Sequence, residues 1–452
     1  MRAVFADKKG RVYDHPRLLG LGRGGDVITE LFEGELIPLP EGASLVNLPN
    51  TRAIGMDPDT GEMKPLDPQY CAVGALLPQG FTRLWLPAYV KTDKTAALPL
   101  FGYTAVVWKD GRFYAAAEQS DEPSRWNPAN CDPKELEIAV GRLRAACPDN
   151  RLYEHLAHCA LVYGCLTASN TFLQRWEGAV PVSMTCNAGC FGCISEQPAD
   201  SPFPSPQTRL KFKPAVDEVV QVMLEHLRDE DSIISFGQGC EGEPSTMAAL
   251  IVEAIRRVRA QTSVGWININ TNGGLTDHIR AIVDAGLDLI RVSTISAIED
   301  HYNAYYRPRG YTLKNVEKSL RYAADQGVYT SINWLVFPGV TDREEELEAM
   351  IGFARRTGLR MIQLRNLNID PESYLALIPK PRSQPLGMKE ALAILREELP
   401  DVRFGSYSHA PPDGTGRKPG GDAGGEPAAC AAADEEGRPG SGNLMLPADR
   451  PT

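Results

Sequence analysis

The chain has no run of about 18 apolar residues, the minimum for a membrane-crossing helix. Its first residues, MRAVFADKKGRVYDHP, lack the apolar centre of a secretory leader. No cluster of Lys and Arg stands out, and 47 basic against 58 acidic residues give a net charge of −11. That balance argues against a sequence-independent grip on nucleic acid. Cysteine is scarce: ten in 452 residues, too few for a disulfide scaffold in a chain long enough to bury large cores unaided. Together these absences predict a cytoplasmic protein of two or three domains, without a membrane or nucleic-acid partner.

What is present divides into three textures. Residues 1–172 are rich in Gly, Pro, aromatics and β-branched residues and predict a β-rich N-terminal domain. One hairpin is explicit: Ala105–Trp108, the turn Asp110-Gly111, then Arg112–Tyr114. Helices are expected from Pro133 to Cys147 and around Leu152 to Tyr163. Gly20-Leu21-Gly22-Arg23-Gly24-Gly25 fits G-x-G-x-x-G, but no strand precedes it, and Pro38 and Pro40 soon follow. A dinucleotide fingerprint needs strand, turn and helix in one unit, so none is expected here.

Residues 173–409 alternate short β-branched runs with amphipathic stretches of helical length. Six strands are expected: Val180–Met184, Ser232–Phe236, Gly265–Ile269, Leu289–Thr294, Tyr329–Val336 and Met361–Leu364. The intervening helices are Ala215–Arg228, Ser245–Thr262, Thr276–Ala285, Leu313–Gln326 and Glu344–Thr357, with Lys389–Glu398 after the sixth strand. Gly286, Gly327 and Gly358 stand just past helix ends, where a left-handed residue is favoured. The fold class is α/β, with a parallel sheet that is open or closed into a barrel. Residues 410–452, rich in Gly, Pro, Ala and acidic residues, predict a disordered tail.

Three cysteines fall within eight residues: Cys186-Asn187-Ala188-Gly189-Cys190-Phe191-Gly192-Cys193. In a reducing compartment such a cluster indicates metal or catalysis. A closed four-iron cluster takes four thiolates. Three cysteines would leave one iron open, as a catalytic metal site requires; a structural zinc site with a distant fourth ligand is the alternative.

The spacing C-x3-C-x2-C resembles the signature of the radical S-adenosylmethionine (SAM) superfamily, in an arrangement similar to uncharacterised bacterial members with a β-rich N-terminal domain. The ends of the other expected strands agree. Gly242-Glu243-Pro244 is similar to the superfamily's Gly-Gly-Glu-Pro segment, which holds the amino group of SAM, with Glu241 in place of its first Gly. Asn270, Asn272, Arg291, Ser293 and Ser296 resemble positions that bind the ribose and carboxylate. Asn333 and Gly339-Val340 are similar to the segment that frames adenine. One departure is Gly192, where the superfamily usually has an aromatic residue.

The resemblance implies a partial (β/α)6 TIM-like barrel and a [4Fe-4S] cluster on Cys186, Cys190 and Cys193. It further implies S-adenosyl-L-methionine as cofactor and a flavodoxin- or ferredoxin-like electron donor. The implied reaction is reductive cleavage of SAM to a 5′-deoxyadenosyl radical, which takes hydrogen from a small-molecule or peptide substrate. The N-terminal domain is expected to cover the barrel mouth. SAM-dependent group transfer, methylation included, is the second reading; a zinc-stabilised binding protein is the third. Three features beyond this set are candidates. The segment His301–Gly310 is expected to be a loop with paired Tyr and Arg. Cys240 is a possible reactive thiol. Cys147, Cys159 and Cys165, with His155 and His158, are a possible second metal site.

Overall fold

The structure is a computed structural model that describes residues 1–93, 97–98, 100, 102–197, 201–202 and 204–412. The expected disordered tail falls almost wholly on 413–452, outside the described residues.

The N-terminal region is built on a thirteen-stranded sheet in which every pairing is antiparallel. The expected hairpin is there, as Thr104–Lys109 against Arg112–Gln119, with Lys109 opposite Arg112. Its turn needs two positive φ angles, which Asp110 (49°) and Gly111 (80°) supply. The G-x-G-x-x-G segment lies in the strand Val12–Gly24 and its hairpin to Val27–Glu30, with no helix following. Three helices lead out of this region: α1 (Pro133–Ala146), α2 (Arg151–Leu161) and α3 (Leu166–Leu173). Asp132 caps α1, its carboxylate accepting from Lys134 N at 2.9 Å, ahead of Pro133 at the first helical position.

The second region is a seven-stranded parallel sheet in strict chain order, a half-barrel. Its strands are β1 (Glu177–Ala179), β2 (Ile233–Phe236), β3 (Trp266–Thr271), β4 (Leu289–Thr294), β5 (Tyr329–Val336), β6 (Met361–Asn366) and β7 (Arg403–Gly405). Two details differ from expectation. The first strand lies earlier than Val180–Met184, because Glu177–Ala179 carry the register to β2 and only Val180 extends it, donating to Ser235 O. A seventh strand is added at the edge beside β6.

The helices follow the predicted rhythm: α4 (Val216–His226), α5 (Ala248–Arg259), α6 (Thr276–Asp284), α8 (Leu313–Asp325), α9 (Glu344–Thr357) and α11 (Met388–Glu398). Two more were not expected, α7 (Glu299–Tyr306) and α10 (Pro371–Leu377). Gly286, Gly327 and Gly358 adopt φ of +111°, +79° and +66° at the helix ends.

Period-two alternation along these strands builds two different faces. Ile267, Ile269, Ile290, Val292, Ile332 and Trp334 share one core with the apolar faces of the helices. The first residue of each of β2 to β6 (Ile233, Trp266, Leu289, Tyr329 and Met361) makes a separate apolar floor, on which Ala410 packs. Above this floor the inward positions are polar: Ser235, Asn268, Asn270, Arg291, Ser331, Asn333 and Gln363. A polar interior above an apolar floor positions chemistry at the C-terminal ends of the strands.

Candidate functional site

The cysteine loop follows β1 and is laced to two neighbours by backbone bonds. Gly189 N and Phe191 N donate to Tyr306 O (3.0 Å) and Tyr305 O (2.9 Å), and Arg309 N donates to Asn187 O at 2.8 Å. The segment expected as a loop, His301–Gly310, is therefore largely helix α7, and it forms a wall of the cysteine loop. Tyr302, Tyr305 and Tyr306 are all buried. At Gly192 a side chain is excluded, since a Cβ would stand 2.5 Å from the Tyr305 hydroxyl. An aromatic from α7 thus occupies the space beside the position where the sequence lacks one. Phe191, one residue earlier, lies under the Arg307 guanidinium at 5.6 Å.

Two of the three thiols here, Cys186 and Cys190, resist ionisation. Burial and the nearby Glu243 push Cys186 up to about 11. Burial and the flanking Cys186 and Cys193 push Cys190 well above its ordinary value. A positive centre bound between them would reverse that. Arg209, which no motif singles out, places Nη2 3.8 Å from Cys193 Sγ.

The turn after β2 is joined directly to the cysteine loop. Gly242 N donates to Ser183 O and Glu243 N to Thr185 O, both at 2.8 Å. The approach is so close that a Cβ on Gly242 would lie 2.1 Å from the Thr185 carbonyl oxygen. Glu241, the departure from the superfamily pattern, is the pin of this turn. Its buried carboxylate accepts from Val182 N (2.8 Å), Ser183 N (2.9 Å), Gly237 N (2.5 Å) and Gln238 N (3.3 Å). Glu243 is likewise occupied. Its Oε1 accepts from Ser245 N (3.0 Å), Ser245 Oγ (2.6 Å) and Thr271 Oγ1, and its Oε2 from Asn272 N at 2.8 Å. These four donors tie the turn to the end of β3.

Arg291 is also committed. Its guanidinium meets Glu177 Oε1 at 3.1 Å, Gln363 Oε1 at 3.1 Å and Ser408 Oγ at 2.6 Å. Burial would push the Glu177 carboxyl up, but Arg291 with Ser235, Ser408 and Gln238 holds it below its ordinary value. Arg291 Nε has no partner, and further unpartnered buried polar atoms are Asn187 Nδ2, Asn270 Nδ2 and Asn333 Oδ1. Such atoms are destabilising unless something binds them. Asn272 Nδ2 donates to Asn187 Oδ1 at 2.6 Å, linking the end of β3 to the cysteine loop. Ser293 pairs in register with Asn333.

Gly339 and Val340 follow β5, and here the N-terminal region arrives. Gly25 N donates to Pro338 O at 3.0 Å, and a Cβ on Gly339 (φ +87°) would lie 1.9 Å from Gly25 N. The contact continues along the ends of β6 and β7. Arg83 N donates to Asn366 Oδ1 at 2.8 Å, Gly80 N to Ser406 Oγ at 2.7 Å, and Lys91 Nζ meets Asp370 Oδ2 at 2.6 Å. A cavity of about 90 Å³ remains there, lined by Gln79 from one side and Arg365, Asn366 and Asn368 from the other. A second buried network was not anticipated. Ser296 Oγ and His301 Nδ1 meet the two oxygens of Glu346 (2.7 and 2.6 Å), and His301 Nε2 lies 2.9 Å from the Tyr374 hydroxyl. The i, i+3/i+4 spacing of His301, Tyr302, Tyr305 and Tyr306 was the available signal.

Residues 180–351, which carry β2 to β5 of the half-barrel, match the family model of the radical SAM superfamily. Members of that superfamily are enzymes that use a [4Fe-4S] cluster and SAM and need an electron donor. Solved structures that match in part include native anSMEcpe with bound AdoMet, 16% identical over 42% of this chain and 52% of that one (TM-score 0.33). The FeFe-hydrogenase maturase HydG from Carboxydothermus hydrogenoformans is 13% identical over 60% and 69% (TM-score 0.35). A radical SAM methyltransferase from Sphaerobacter thermophilus is 17% identical over 50% and 63% (TM-score 0.35). The chain spans about half the length of the first of these. No curated protein sequence matches it. Among the described residues, no helix is long and apolar enough to cross a membrane.

Proposed function

We propose that this chain is a radical SAM enzyme in which Cys186, Cys190 and Cys193 ligate three irons of a [4Fe-4S] cluster and leave the fourth open to SAM. When bound, the cluster and SAM supply one-electron reductive cleavage to methionine and a 5′-deoxyadenosyl radical, which takes a hydrogen atom from substrate. The chain's own residues bind, orient and shield.

The observation that carries the reading is the pair of hydrogen bonds from Gly242 and Glu243 to Ser183 and Thr185. They set the Gly242-Glu243-Pro244 turn against the first residues of the cysteine loop, so one ligand can touch both. The donor set fits. Asn187 in the cysteine loop and Asn270 and Asn333 on the strands hold unpartnered buried polar atoms. In this reading Asn270, Asn272, Ser293 and Asn333 contact the ribose and carboxylate, and Gly339-Val340 borders the adenine. Glu243 and Arg291 act as positioning residues, holding the turn and the strand ends from beneath. Residues 1–172 are the covering domain and 173–409 the barrel. The Gly25–Pro338 and Arg83–Asn366 bonds close the β5–β7 side of the mouth against water.

The test is anaerobic reconstitution followed by SAM and dithionite. Expected are about four irons per chain and formation of 5′-deoxyadenosine, both lost in Cys190→Ala. S-adenosylhomocysteine as the sole product would favour group transfer. An iron-free protein that leaves SAM intact would overturn the reading.

A further inference from the structure

Outside the cysteine loop, three more soft ligands converge. His155 and Cys159 stand one turn apart on α2 and so share a face. Cys240 comes from the turn after β2, two residues before Gly242. One ring nitrogen and two sulfurs, contributed by elements far apart in sequence, all lie within 4.8 Å of one another. His155 Nε2 is 3.9 Å from Cys159 Sγ and 3.2 Å from the Cys240 carbonyl oxygen. A tetrahedral zinc, with Zn–S about 2.3 Å and Zn–N about 2.0–2.1 Å, places its ligand atoms about 3.6–3.8 Å apart. Small side-chain rotations would close the observed set onto one ion. Cys159 and Cys240 are 1% and 3% exposed, while His155 is half-buried.

The sequence pointed to a wider group, and the structure selects within it. Cys147, Cys165 and His158 do not join the converging atoms. His158 instead stands edge-on to Tyr163, with ring centroids 4.8 Å apart. The member that completes the set, Cys240, is one that only the fold could bring there.

We propose that His155, Cys159 and Cys240 form a zinc site that fastens α2 to the turn carrying Gly242-Glu243-Pro244, with water as the fourth ligand. Two thiolates and an imidazole are a ligand set that favours zinc among the available divalent ions. The short ligand separation calls for a single ion. Binding displaces the two thiol protons and changes no oxidation state. The site links the helical layer before the barrel to the strand-end turn, and it stands whether or not the cysteine loop carries iron.

The test uses the full chain, purified anaerobically, incubated with a slight excess of Zn(II), desalted and analysed for metals. Expected is about one zinc per chain, falling roughly tenfold or more in Cys159→Ser and Cys240→Ser while cluster iron is retained. Cys190→Ala should do the opposite, losing iron and keeping zinc. Wild-type protein that retains no zinc, or zinc that persists in Cys159→Ser, would overturn the proposal. So would a Cys159–Cys240 disulfide found by mass spectrometry in the zinc-free protein. Should the variants fail to fold, Co(II) titration of wild type decides. A thiolate-to-cobalt absorption band that zinc abolishes supports the site, and its absence refutes it.

Discussion

Gly242→Ala is the sharpest perturbation the structure suggests. The added Cβ would stand 2.1 Å from Thr185 O, 2.5 Å from Thr185 C and 3.0 Å from Thr185 N. These are backbone atoms, so no side chain can rotate away. Ordinary contact requires the two segments to part by about 1 Å or more. That movement breaks the Gly242–Ser183 and Glu243–Thr185 bonds, each contributing about 1 kcal/mol, and disturbs the amides that converge on Glu241. A loss of about 2–4 kcal/mol in stability follows. The larger effect is on alignment, where a shift of about 1 Å between reacting partners lowers rate by about 10²-fold. The assay is 5′-deoxyadenosine formation by reconstituted protein, normalised to iron, alongside thermal unfolding. A variant with wild-type melting and wild-type SAM cleavage would refute the view that this glycine joins the two halves of the site.

Glu177→Gln should destabilise the fold by about 3–5 kcal/mol in denaturant titration, because it leaves Arg291 buried without its counter-charge; a loss below about 1 kcal/mol would mean Gln363 and Ser408 suffice. Gly339→Ala, which drives a Cβ into Gly25 N at 1.9 Å, should accelerate proteolytic separation of residues 1–172 from the barrel. Glu241 adds a pH signature. Burial lifts its carboxyl from 4.5 to about 7 in the folded chain, so between these values the unfolded chain binds fewer protons. Its contribution to stability is full below pH 4.5 and is lost as pH rises through about 7. Glu241→Gln should therefore flatten the stability profile across that window, and an unchanged slope would assign it to another group.

The parts of this architecture legible in sequence are those with local causes. Helix lengths, the left-handed glycines at 286, 327 and 358, the Asp110-Gly111 hairpin and the polar residues at strand ends all follow from neighbours in the chain. What the sequence hides depends on distant partners. The sheet brings Glu177 beside Arg291, a pairing 114 positions apart that no local pattern announces. Glu241 looks like a lapse in a glycine motif until amides from 182–183 and 237–238 converge on it. Helix α7 was hidden by Pro308 and Gly310, although its tyrosines kept helical spacing. Strand β7 has three residues, too few for any periodicity.

The segment just after β7 has a consequence for how the molecule comes into being. Ser408 completes the shell of Arg291, Ala410 rests on the apolar floor, and His409 and Tyr407 reach Asp121 and Glu122 O, the His409–Asp121 Oδ2 contact being 2.8 Å and the Tyr407 bond 2.7 Å. Until these late residues are made, Arg291 lacks its Ser408 partner and the floor lacks Ala410. A chain ending before residue 406 should therefore be cut by protease faster than the full chain.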